Sequence, residues 1–102
     1  MGDYIKFREL VEQVEERLER PVTVHLSNGL VGYRGYLKND PLNVEILLSI
    51  EDNATYAELV GALLRCVVRL EDGVPEYREK SCEPVDAELA MRAVALREEL
   101  GI

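Results

Sequence analysis

Few residues in this chain are equipped for chemistry. His25 is the single histidine, and Cys66 and Cys82 are the only cysteines. Together they form one set of soft and borderline metal donors, and they are the candidate parts of a small hydrolase with an unconventional metal or thiol site. Their spacing matches no short zinc motif. Ser27, Ser49 and Ser81 lack a nucleophile elbow, and one histidine restricts any triad severely. Gly29, Gly32 and Gly35 fall within a pair of alternating runs, not between a strand and a helix, so they do not form a phosphate loop. Tyr4, Tyr33, Tyr36, Tyr56 and Tyr77 are scattered without basic interleaving and do not read as a base-stacking platform. No catalytic residue, metal site or cofactor is expected.

The bulk numbers narrow the classes further. A chain of 102 residues allows one domain, spanning 1–102. A hydrophobic fraction of 47% with 31% charged residues fits a soluble globular protein and not a disordered one. The net charge of -8 argues against direct binding to nucleic acid or anionic membranes, which needs cationic surface, and leaves a basic protein partner open. Met1 to Glu9 holds no apolar signal core, so a cytoplasmic location is expected. Cys66 and Cys82 then read as unpaired thiols, with one bridge between helix and loop as the alternative.

The elements that would position these residues follow from periodicity. Asp3 to Arg20 reads as a helix that Asp3 can cap, with Tyr4, Phe7, Leu10, Val11, Val14 and Leu18 on one stripe and Glu9, Glu12, Glu15, Glu16 and Glu19 mostly opposite. Val22–Leu26 alternates as a strand, and Asn28-Gly29 is a hairpin signal. Leu30–Leu37 is the expected return strand. Gly32 and Gly35 suggest a bulge or a close approach by another element. A turn over Lys38–Asn43 leads to a third strand, Val44–Ile50. Thr55–Leu70 is a helix that is apolar nearly all round, so it is expected in the core. Thr55 and Glu58 have capping-box spacing at its start, and Gly73 suits a left-handed cap at its end. Glu71–Ser81 reads as a polar loop. The last helix is expected to start near Cys82–Val85 and to run to Leu100, with Pro84 in its first turn. The class is α+β in two layers: helix, three-stranded antiparallel meander in order 1-2-3, helix, helix.

This order of elements resembles minimal zincin metallopeptidase domains of the SprT-like and ImmA/IrrE-like kind. There an Ile-x-Leu-Ser type strand, as Ile46-Leu47-Leu48-Ser49 is here, precedes the helix bearing His-Glu-x-x-His. Glu58 to Val67 is similar to that helix in length, amphipathicity and position. The resemblance implies that Gly61 and Arg65 stand where the two histidine ligands would be, and Ala62 where the general base would be. None of the three can do that work. Glu83 or Asp86 would occupy the place of a third ligand. The implied domain is a degenerate zincin with its catalysis lost.

The expected function is therefore that of a small acidic, non-catalytic protein-binding or regulatory module. It would bind a protein partner or a second copy of itself. A cleft lined by Glu58, Gly61, Arg65, Arg69, Glu83 and Asp86 is one candidate surface. The sheet face away from the helices, with His25, Arg34, Tyr36 and Leu47, is the other.

Overall fold

The elements run α1 (Gly2–Leu18), β1 (Val22–Ser27), β2 (Leu30–Tyr33), β3 (Val44–Ser49), α2 (Tyr56–Glu71), β4 (Tyr77–Lys80) and α3 (Ala87–Leu100). The computed structural model describes residues 2–37, 39, 43–49, 55–80 and 84–102. The Asp3 side chain, most of the expected turn over Lys38–Asn43, Ile50, Cys82 and Glu83 lie outside the described residues. The class is α+β, with three helices and a four-stranded mixed sheet among the described residues. None of these helices is long and apolar enough to cross a membrane.

The apolar run after Thr55 folds as its pattern dictates. The Thr55 hydroxyl accepts from the Glu58 N–H at 3.2 Å, and the Glu58 carboxylate accepts from the Thr55 N–H at 3.2 Å. This closes the capping box. At the other end Gly73 takes φ 78°, a left-handed value that a side chain would disfavour. Between the caps, Val60, Leu63, Leu64, Cys66, Val67 and Leu70 are almost fully buried. Burying a leucine or valine side chain contributes roughly 1.5–3 kcal/mol, so α2 organises the core. Leu10 and Val14 of α1, Ile46 and Leu48 of β3, and Leu89, Ala93 and Leu96 of α3 pack into the same cluster.

The sheet is not the expected meander. Its order is β1-β3-β2-β4, with β1 parallel to β3 and β2 antiparallel to both β3 and β4. β3 thus lies between the two strands that the Asn28-Gly29 turn joins. The turn passes the end of β3, where the Gly29 N–H donates to Ser49 Oγ at 3.1 Å. Bridging two strand spacings requires a reach of roughly 10 Å, which the few residues from Ser27 to Leu30 supply when extended. The physical reason is burial. Val44, Ile46 and Leu48 are buried on one face of β3 and Leu47 is half-buried on the other. A strand apolar on both faces gains most from a central place. β1 carries Thr23 and His25 on its outer face and tolerates the edge.

The second strand is also shorter than expected, because Gly35 at φ 71° breaks the alternation. The expected polar loop contains β4, an edge strand paired with β2 in the register Val31 to Glu79 and Tyr33 to Tyr77. The last helix starts later than expected, at Ala87. Asp86 caps it, its Oδ1 accepting from the N–H groups of Glu88 at 2.8 Å and Leu89 at 3.3 Å. Pro84 therefore precedes the helix.

Candidate binding sites

On α2, Arg65 faces β4. Arg65 grips Glu79 with two bonds, Nε to Oε2 at 2.6 Å and Nη2 to Oε1 at 3.0 Å. The Arg65 side chain is 21% exposed and that of Glu79 is 13% exposed. Tyr77 donates its hydroxyl to Glu79 Oε2 as well. Burial works against the charge on Arg65, but the Glu79 carboxylate outweighs it and the guanidinium pKa is raised. Burial, then the bond to Glu79, pushes the Tyr77 phenol above its ordinary value. A Cβ built on Gly61 would lie 3.3 Å from Arg65 Nη1, the one guanidinium nitrogen that Glu79 does not hold.

The expected cleft is thus divided. Glu58 is committed to the cap at the start of α2, and Gly61 and Arg65 face the ion pair with β4. Arg69 and Asp86 line a separate small cavity of about 170 Å³ together with Tyr77 and Glu79. Glu83 lies outside the described residues. Asp72, just beyond α2, takes both Arg92 at 2.7 Å and Arg69 at 3.6 Å, and its carboxyl pKa is lowered chiefly by the bond from Arg92. Neighbouring charges on this side of the molecule are already matched to one another.

The second expected surface is assembled in part. His25, Arg34 and Leu47 line one cavity of about 360 Å³ on the open face of the sheet, joined by Leu30, Gly32, Glu45 and Arg78. His25 Nε2 lies 3.6 Å from Glu45 Oε1. Tyr36 does not belong there. Beyond the bend at Gly35 its N–H donates to the Pro75 carbonyl at 3.1 Å, and its ring is buried beside Tyr33. The Arg20 guanidinium sits 4.8 Å from the ring centroid.

The described parts of the metal or thiol site lie on opposite sides of the sheet. His25 is on the open face. Cys66 is fully buried in α2 among the helices, and burial pushes its thiol pKa up, which suppresses the reactive thiolate. Cys82 lies outside the described residues. Among the described residues, no group of three His, Cys, Asp or Glu side chains could hold a metal ion.

A concavity larger than either of these cavities was not foreseen. α1 supplies Tyr4, Phe7, Arg8 and Val11, β1 supplies Val24 and Leu26, and the start of α2 supplies Tyr56 and Leu59. They enclose a groove of about 550 Å³ over the helix-side face of β1, the strand at the sheet edge. Phe7 and Tyr56 meet edge to face with centroids 6.4 Å apart. Tyr4 is 71% exposed and Leu26 is 57% exposed. The pattern places Tyr4, Phe7, Val11, Val24, Leu26 and Leu59 on apolar faces but does not show that Tyr4 and Leu26 stay exposed. Glu79 was missed because Tyr77-Arg78-Glu79-Lys80 is short and charged, and only its alternation hints at a strand.

No protein-family model, no curated protein and no solved structure matches this chain.

Proposed function

We propose that the chain is a non-catalytic, cytoplasmic protein-binding module on a zincin-like scaffold without metal. It captures an extended apolar segment of a partner along β1. The observation that carries this reading is the groove itself: an exposed aromatic and aliphatic trough beside a strand with one hydrogen-bonded neighbour among the described residues. A strand added to such an edge gains main-chain hydrogen bonds, and alternate side chains drop into the trough. Glu15 of α1 accepts from the Val22 N–H at 2.9 Å, so the outward N–H groups left for pairing on this edge start at Val24. The same helix carries Glu12 and Glu16, and with a chain charge of -8 this favours basic residues flanking the captured segment.

The alternative hydrolase reading would need His25 and Cys66 to work from opposite sides of the sheet. On the zincin-like reading, Arg65 occupies a ligand position and is committed to Glu79, so the helix face is spent on structure.

A displayed library of random peptides tests the proposal. The enriched peptides are expected to be β-forming, apolar and flanked by Lys or Arg. They should shift the amide resonances of Val24, Leu26 and Leu59 and lose affinity on Leu26→Asp. Enriched peptides that bind elsewhere, or the absence of enrichment, would count against it. Analytical ultracentrifugation of the free chain separates self-association, which would show a dimer abolished by Leu26→Asp.

A further inference from the structure

Six of the nine arginines of this acidic chain are occupied. Arg17, Arg65, Arg69 and Arg92 each hold a carboxylate. Arg20 donates to the Leu37 carbonyl and Arg97 to that of Ile102. Among the described residues, the arginines without such a bond are Arg8, Arg34 and Arg78. Arg8 lines the apolar groove. Arg34 and Arg78 line the same cavity on the open face of the sheet.

That cavity has an ordered plan. The register places His25 beside Leu47, Leu47 beside Gly32 and Gly32 beside Arg78, one row crossing all four strands. A cation stands at one end, a leucine and a gap lie in the middle, and a histidine closes the other end. Gly32 has no alternative here: a Cβ at this position would collide with the Tyr77 carbonyl oxygen, and φ is 149°. Gly32 adds no side chain to this part of the cavity, which Leu47 and Leu30 also line. The single acid of the cavity, Glu45, sits 3.6 Å from His25, and the β2–β3 register sets its position opposite Arg34. Arg78 lies two strands away from it, so the row is most cationic at the Arg78 end.

We propose that this cavity binds a small organic anion, a carboxylate or phosphate carried on an apolar body. The anionic group would lie over Gly32 between the two guanidiniums, and the body against Leu47 and Leu30. Exposed guanidiniums with no internal partner lose little on desolvation and suit planar, bidentate recognition of such groups. A volume of about 360 Å³ falls at the small-molecule end of ligand sites.

The test is a titration of the ¹⁵N-labelled chain with phenyl phosphate, benzoate, inorganic phosphate and benzyl alcohol. At least one of the aromatic anions should shift the amides of His25, Gly32, Leu47 and Arg78 saturably. Whichever of the two binds tighter identifies the preferred head group. Inorganic phosphate should bind about tenfold more weakly or less, since it lacks the apolar body, and benzyl alcohol should not bind. Arg34→Gln with Arg78→Gln should abolish saturation while the remaining spectrum stays folded. Unchanged affinity in that variant, saturation by benzyl alcohol, or shifts confined to the groove of β1 would overturn the proposal. Leu26→Asp leaves this site intact, so failure here is separable from failure of the peptide-binding reading.

Discussion

At one edge of the sheet β4 is sealed to α2 by Arg65, Glu79 and Tyr77, whereas at the other edge β1 lies under an apolar groove that none of the described residues fills. The first edge is polar in composition, yet its half-buried charges, Arg65 and Glu79, are paired with each other. The second is apolar and left wet. Composition alone would suggest the opposite roles, with charges for binding and aliphatics for packing. What separates the two is whether each group has already found its partner. A matched buried pair is structure, and an exposed aromatic trough is an invitation.

The largest effect should come from the seam that supports β4. Gly32→Ala drives a Cβ into the Tyr77 carbonyl at a left-handed φ, so a loss of about 3 kcal/mol or more is expected in urea denaturation. A variant of unchanged stability would mean that β2 and β4 are not this close.

Next comes the ion pair itself. Arg65→Met leaves Glu79 largely buried and unpaired and should cost about 2 kcal/mol. The double change with Glu79→Gln should recover part of that loss. Additive effects in the double-mutant cycle would show that the pair does not seal this edge.

Alkali should loosen the same edge. Burial raises the phenols of Tyr33 and Tyr77, and for Tyr77 the bond to Glu79 adds to it. Because these groups hold their protons more tightly when folded, their contribution is intact below the unfolded value near pH ~10 and is lost as pH rises beyond it. The denaturation midpoint, followed from neutral pH upward, should fall past that point and fall less in Tyr77→Phe. Equal slopes would remove the phenol from the account.

The smallest effect on stability belongs to the open edge. Leu26→Asp should change the folding free energy by no more than about 1 kcal/mol, since the side chain is already 57% exposed. If it unfolds the chain, the groove is part of the core and the contrast between the edges fails.

Much of the fold was legible residue by residue. The capping box at Thr55 and Glu58, the buried circumference of α2, the left-handed Gly73 and the stripe of Leu89, Ala93 and Leu96 all follow from local pattern, because a helix satisfies its own backbone within a few residues. Strand order did not follow. Asn28-Gly29 specifies a tight turn but not which strand lies beside β1, and a local hairpin competed with a distant strand apolar on both faces. β4 was illegible because four residues carry too little pattern, and its pairing with β2 depends on Gly32, far away in the chain.

The candidate sites divide in the same way. Arg34, Leu47 and His25 were expected on one face by alternation, and they line one cavity. Tyr36 was expected beside them and is buried elsewhere, because Gly35 turned the chain. Gly61 and Arg65, four residues apart, share one side of α2, but the partner of Arg65, Glu79, comes from a strand with no clear signature. The local sequence decided where helices start and stop and which side of each is apolar, since those depend on neighbours three or four residues apart. Tertiary structure alone decided which charges are neutralised, which apolar stripes remain uncovered and which strand sits in the middle, since those depend on burial shared between segments distant in the chain.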